Sequence, residues 1–277
     1  MSLNKLIKMR KKLILIILII TTLTLNSQEL RKVENKAFKT GEKITYVVYF
    51  DSFITGKIFA AYATFMISPK IEYINGRPCY HAILSGKTFK KWDWAIYVDD
   101  RFDTYIDTIA LVPWVFVRKA HEGKFKADQQ INIDQFKHQA QFIDKRKNTN
   151  KVYPIDPYMH DMISAAYWGR NLDFSKMRPG SIFKVKYVFE DSVYTSNVAF
   201  GGRETIKINE GKFDCYYVMP EVQVGNVFKD PYPMKVYFTA DDNQIPIYAT
   251  CKIRIGNVRF ELYSYENLRN PMKSKIN

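Results

Sequence analysis

From residue 41 onward, apolar and polar residues alternate in short runs, with Val, Ile, Tyr and Phe at every second position and Gly, Pro, Asn or Asp between the runs. Period-two alternation puts one set of side chains on each face of a pleated strand, and branched and aromatic residues fit such a surface. The pattern predicts strands over residues 41–50, 62–67, 79–84, 94–98, 114–118, 131–136, 183–189, 205–208, 216–220, 234–239, 247–255 and 258–265, with Gly201-Gly202 as a turn. One interval changes period. Met159, Met162, Ile163 and Ala166 fall three and four apart, Asp156 stands where it can cap a helix, Pro157 suits a first turn and Gly169 an end. The first 27 residues do not alternate: Lys5, Lys8, Arg10, Lys11 and Lys12 lead into an unbroken apolar run over 13–20. That run reaches residue 25 at most, short of the roughly 20 apolar residues a membrane-spanning helix needs, and reads as a cleavable export signal. The mature chain then begins near Gln28, and with no cysteine in or just after the segment a lipid-anchored form is not indicated.

The strand blocks also recur in order. Gly41-Glu42-Lys43-Ile44-Thr45-Tyr46-Val47-Val48-Tyr49-Phe50 matches Gly180-Ser181-Ile182-Phe183-Lys184-Val185-Lys186-Tyr187-Val188-Phe189 in glycine and hydrophobic pattern. The blocks at 75–80 and 210–216 correspond next, placing Cys79 against Cys215, then 96–100 and 236–242, then 113–123 and 246–256. The organisation predicted is a signal peptide at 1–27, a first β half at 28–155, a connecting helix at 156–172 and a second β half at 173–277.

Several of these positions carry a resemblance. The Gly41-Glu42 strand opening, the Lys87-Thr88 pair, Asp161 with Ser164-Ala165, the run Gly211-Lys212-Phe213-Asp214-Cys215, and Asp241-Asp242 followed by Ile245-Pro246 resemble the exported bacterial domain-of-unknown-function family DUF3108. The likeness spans roughly residues 38–265. It implies a periplasmic all-β protein, similar in build to antiparallel β proteins of the diderm envelope, and implies no activity.

Composition narrows the partners. The formal charge is +14, and loss of residues 1–27 removes five basic residues and no acidic one, so the remainder stays basic. A basic surface favours anionic partners such as lipid headgroups, anionic glycans or nucleic acid. Nucleic acid is not expected, because an exported chain seldom meets it and no basic cluster interleaved with aromatics is present. The one dense basic run, Lys145-Arg146-Lys147-Asn148-Thr149-Asn150-Lys151, is rich in turn formers and reads as a solvated loop.

Candidate chemistry is sparse. Asp99, Asp100, Asp103 and Asp107 could suggest a calcium site or a glycosidase pair, but no glycine-centred calcium loop surrounds them. The recurrence of Asp241-Asp242 instead suggests that Asp99-Asp100 is a hairpin turn. His160, Asp161 and Ser164 share the helix segment without a nucleophile elbow, no His pair has metal-ligand spacing, and no phosphate-cradling glycine loop occurs. No cofactor or metal is expected. Cys79, Cys215 and Cys251 could leave one free thiol beside a disulfide, with Cys215 and Cys251 as the pair to test, or each could be a small buried hydrophobe. Trp92, Trp94, Tyr97, Trp114 and Phe116 could line a groove for a lipid chain or sugar, but large aromatics dominate cores, and filling the core between curved sheets is the favoured reading.

With 47% hydrophobic residues and 19 each of Tyr and Phe, the chain can bury a large core. It is predicted to be an all-β protein of antiparallel curved sheets, sandwich or half-barrel like, built from two related halves with one short connecting helix. A soluble periplasmic or secreted protein is expected, with no transmembrane anchor once residues 1–27 are removed. Binding of a lipid, a lipoprotein acyl chain or a glycan of the envelope outranks catalysis. The rivals are a hydrolase of envelope polymers using carboxylates such as Asp99 and Asp241, and a structural partner of an outer-membrane assembly.

Overall fold

Each alternating run pairs with the next run along the chain, so the strands assemble as successive hairpins. The computed structural model describes residues 29–52, 56–92, 97–222, 229–254 and 256–276. The expected export segment at 1–27 and Trp94 lie outside the described residues. The first wing comprises β1 (Lys43–Ser52), β2 (Gly56–Ile74), β3 (Arg77–Thr88), β4 (Asp99–Asp107), β5 (Pro113–Glu122), β6 (Phe125–Asp134), β7 (Gln139–Asp144) and β8 (Thr149–Pro154). After the helix α1 (Met162–Gly169) come β9 (Ile182–Phe189), β10 (Ser192–Ile208), β11 (Gly211–Pro220), β12 (Met234–Thr239), β13 (Pro246–Lys252), β14 (Asn257–Glu266) and β15 (Lys275–Ile276). Fourteen strands follow one antiparallel path, β8-β7-β6-β5-β4-β3-β2-β1-β14-β13-β12-β11-β10-β9, and β15 pairs with β11. The chain thus runs out along one wing and returns along the other, meeting where β1 pairs with β14.

Long sheets twist, and bulges bend this one further. Register shifts fall at Thr45/Tyr46, Val48/Tyr49, Ile67/Ile71 and Phe200/Gly202. The last explains Gly201-Gly202, which is a bulge within β10 and not the turn expected: a Cβ on Gly201 would stand 1.9 Å from a Tyr217 ring carbon, and Gly202 takes φ +124°. The curl brings the β9–β10 tip against the other wing, where Glu190 pairs with Arg118 of β5 (3.1 Å) and Asp191 with Lys151 of β8 (2.5 Å). The free edge of β9 is covered by the chain entering α1, with His160 N donating to Lys186 O (3.1 Å) and Val188 N to His160 O (2.8 Å).

The helix is shorter than predicted. Tyr158 adopts φ +59°, which a continuing helix does not allow, so Asp156 and Pro157 lie in a turn before it. The cap is Asp161, whose carboxylate accepts from Ile163 N (2.8 Å) and Ser164 N (2.9 Å) while its own amide donates to Ser164 Oγ (3.0 Å). This capping box, with Thr104 Oγ1 donating to Asp161 Oδ2 (2.6 Å), uses the polar groups that had suggested a nucleophile cluster. Ile163 and Tyr167 then pack with Phe116, Ile131, Phe142 and Val188 in one core. Just past the helix, buried Arg170 donates to Glu42 Oε1 (2.5 Å) and Oε2 (2.9 Å), to Asn243 O and to Ala37 O (both 3.1 Å). The pair fixes the end of α1 to the start of β1 and to the β12–β13 turn.

Further expectations are corrected. Asp99-Asp100 is no turn: the two residues open β4, opposite Lys87 and Gly86. The Asp-based turn of the first wing lies at Asp107, whose Oδ1 accepts from Ile109 N (2.9 Å) and Ala110 N (2.8 Å), as Asp241 Oδ1 accepts from Asn243 N (3.1 Å) in the second. Strand 94–98 is represented among the described residues only by an isolated bridge from Val98 to Glu122. β4, β7 and β8 were missed because their runs are polar; of the basic stretch expected as a loop, residues 145–148 form the turn joining the last two, and Thr149, Asn150 and Lys151 open β8. Nor can Cys215 and Cys251 join. Cys215 stands opposite Thr239 and Cys251 opposite Met234, on strands either side of β12 and far apart along it. Two strand spacings alone span about 9.5 Å, beyond the roughly 7 Å Cα limit of a disulfide. All three thiols are free and buried.

Candidate functional site

The concave face is packed solid at one end and hollow at the other. Where β1 begins, Ile44, Phe213, Cys215, Ile245, Ile247 and Leu262 close the space, each at most 1% exposed. Toward the opposite end of the same strands a cavity of about 800 Å³ opens, walled by β1–β4, β9–β14 and α1. We call these the base and the mouth end.

The hollow exists because small residues occupy inward positions where large ones would meet. Ala60, Ala63 and Gly86 face it from β2 and β3, Ala249 from β13, and Ala165, Ala166 and Gly169 from α1. Between them stand Val48, Phe50, Phe65, Val185, Val236 and Phe260, so the wall is apolar nearly throughout. Phe260 is 36% and Met162 38% exposed, and both line the cavity. Apolar surface gathered in a concavity makes this cavity the candidate site.

Several polar groups in or beside the wall are engaged by protein neighbours. Tyr46 Oη donates to Pro246 O (2.7 Å), and burial raises its hydroxyl well above the usual range. Lys87 Nζ pairs with Asp99 (2.6 Å), Ser196 Oγ donates to Glu221 O (2.7 Å), and Asn197 Nδ2 donates to Glu221 Oε2 (2.5 Å). Asp100 Oδ1 accepts from His121 N (2.9 Å); burial raises its carboxyl, with that amide opposing. What this wall can do is hold an apolar guest, with hydrogen-bonding groups confined to its margins. Among the described residues no three His, Cys, Asp or Glu side chains converge as metal ligands.

Of the aromatic residues singled out from sequence, Trp114, Phe116 and Tyr97 lie outside the cavity wall. Trp114 is 3% exposed, donates from Nε1 to Asp107 Oδ2 (3.1 Å) and has the Arg77 guanidinium 5.9 Å above its ring. Burial alone would raise the Asp107 carboxyl, but Arg77, the Ala110 and Ile109 amides and Trp114 hold it below the usual range. Phe116 is buried against Phe102. Tyr97 packs edge-on to His121 beside the cavity wall, and Trp92 ends the 3₁₀ turn Lys90–Trp92. Neither Trp114, Phe116 nor Tyr97 lines the cavity: on β5 the inward positions belong to the core, and Tyr97 precedes the lining residue Val98. The rival carboxylates also separate, Asp99 at the mouth end and Asp241 at the base, where its Oδ2 accepts from Lys273 N and Ser274 N (3.1 Å each). The residues that sequence reasoning passed over are the small ones; Gly86, inside a strand, was their one legible sign.

Comparison with known proteins gives a family and a fold. The family model described as protein of unknown function (DUF3108) matches residues 44–263. Among solved structures, the chain is similar to the β-barrel-like protein of domain of unknown function DUF1849 from Brucella abortus, with TM-score 0.52, 8% identity, and 83% of this chain and 99% of that one covered. A suspected lipoprotein from Parabacteroides distasonis matches with TM-score 0.27 and 12% identity over 86% of this chain and 100% of that one. Among curated proteins none matches. The likeness to the Brucella protein is one of fold.

Proposed function

For this chain, which belongs to the DUF3108 family of proteins of unknown function, we propose non-catalytic binding of a lipid or acyl chain in the periplasm. The observation that carries the reading is the apolar cavity of about 800 Å³ enclosed by the curled sheet and α1. At roughly 30 Å³ per water-sized group, its volume suits on the order of 25 heavy atoms, one long acyl chain or two short ones. A glycan fits less well, because its hydroxyls would face a wall that is apolar nearly throughout. The periplasmic assignment rests on the basic head and short apolar run of residues 1–27. No described helix is long and apolar enough to cross a membrane.

A chain-length series tests the reading. Displacement of a fluorescent fatty acid by saturated fatty acids should tighten about fourfold per added methylene, the equivalent of ~0.8 kcal/mol each, until the cavity is full and the gain stops. Affinity independent of chain length, or absent at every length, refutes it.

A further inference from the structure

We propose that the mouth end of the sheet seats on an anionic lipid surface, with the tips of the β5–β6 and β7–β8 hairpins making the contact. That the docked end serves the cavity rests on the lipid-binding reading above; the docking itself stands on position and charge.

Position follows from the topology. β5 ends at Glu122, which bridges Val98 of the cavity wall, and Gly123 N donates to Tyr97 O (2.8 Å), so the β5–β6 tip abuts the rim. The β7–β8 tip lies beside it, with Lys145 N donating to Asp128 O of β6 (2.9 Å).

Both tips hold more positive charge than their turns need. The β5–β6 tip presents exposed Lys124, Phe125 and Lys126, and the β7–β8 tip exposed Lys145, Arg146 and Lys147. The second turn is built from other groups: Asp144 Oδ1 accepts from Arg146 N and Lys147 N (3.0 Å each), and Asn148 takes the left-handed position at φ +51°. Among the described residues Lys124, Lys126, Arg146 and Lys147 have no ion-pair partner, and Lys145 has only a 3.9 Å approach to Asp128. A groove of about 330 Å³ near the tips is lined by Arg101, Lys119, Lys126 and Arg146 against Asp99 and Asp128, a net positive recess open to phosphate groups. Phe125 is 44% exposed between its two lysines. An aromatic ring flanked by long cationic side chains suits the bilayer interface, where the ring reaches the acyl boundary and the charges stay among headgroups.

The test compares two triple variants of the full mature chain by flotation with vesicles of phosphatidylcholine alone and of phosphatidylcholine mixed with phosphatidylglycerol. Wild type should bind only the mixed vesicles and be released by salt, since the screening length falls from about 10 Å at 0.1 M to about 3 Å at 1 M. Lys145→Gln/Arg146→Gln/Lys147→Gln should lose on the order of a hundredfold, at roughly fivefold per basic residue. Lys70→Gln/Lys207→Gln/Lys212→Gln removes the same charge from exposed positions at the base and should bind as wild type. Equal loss in both triples, equal binding to neutral vesicles, or no binding at low salt overturns the docking. Fatty-acid displacement in vesicle-free solution separates the two readings. The tip triple should retain it, and a wild type that binds vesicles with the stated pattern but no fatty acid would end the cavity reading while leaving the docking in place.

Discussion

Replacing Gly86 by Leu probes the cavity from inside. Gly86 sits on the inward face of β3, opposite Ala63 on one side and Asp100 on the other, and a Cβ added there meets only the Tyr62 carbonyl oxygen at 3.8 Å. No backbone change is required, and loss of a strand glycine stabilises by about 0.5–1 kcal/mol. The four carbons of leucine fill on the order of 120 Å³ at roughly 30 Å³ each. Guests long enough to fill the original cavity must then withdraw about four methylenes, a loss of ~3 kcal/mol at ~0.8 kcal/mol each, or more than a hundredfold in Kd. Shorter guests should bind as before. The fatty-acid displacement series therefore keeps its slope and reaches its plateau about four carbons earlier. A variant that melts no lower than wild type yet weakens every chain length equally, or weakens none, refutes the assignment of Gly86 to a ligand-filled wall.

Two predictions concern the scaffold. Arg170→Met leaves Glu42 charged and buried, and should cost about 3–5 kcal/mol in urea unfolding, with Arg170→Met/Glu42→Leu recovering much of it; a single variant within 1 kcal/mol of wild type would mean the pair is not holding α1 to β1. Burial pushes the Cys79 and Cys215 thiols up to about 12 in each case. A raised folded value favours the neutral thiol, so this stabilisation is complete below the unfolded pKa of roughly 8.5 and is lost as pH rises toward 12. Both cysteines, with Cys251, should resist iodoacetamide near neutral pH in the native state and all three should react in urea, whereas a mass showing a disulfide would contradict the strand register.

The strands were legible because their signal is local. Alternation in 44–50 or 183–189 is set by each strand's own two faces, and the structure places Ile44, Tyr46 and Val48 inward on β1 as that alternation requires. Turn chemistry was legible in kind but not in place. Aspartate does build the turns, yet matching Asp99-Asp100 to Asp241-Asp242 placed the first-wing turn eight residues before Asp107, because a short identity outweighed the distance to the following proline at 113 or 246. The helix start failed for a similar reason. Asp156-Pro157 has the composition of a helix entry, and only the left-handed Tyr158 makes Asp161 the cap.

The cavity was not legible because it is a property of absences gathered from distant positions. Aromatic residues advertise themselves in a sequence, and Trp114 and Phe116 drew attention for that reason, yet a large ring on an inward-facing strand position fills space and so ends as core. A pocket requires the reverse. Ala63, Gly86, Ala166 and Ala249 lie on β2, β3, α1 and β13, and no one of them differs from an ordinary small residue until the sheet curls and α1 crosses it. Their common face depends on the bulges at Thr45/Tyr46 and Val48/Tyr49 and on the Arg170–Glu42 pair that sets where the helix ends. The same curl decides which hairpin tips share the rim: Gly123 reaches Tyr97 only because β5 follows the bend of β4. Cavity wall and charged rim are therefore consequences of one geometric event, and substitutions that flatten the sheet, such as a bulky residue at Gly201 against Tyr217, should disturb both together while single changes in the wall or at the tips separate them.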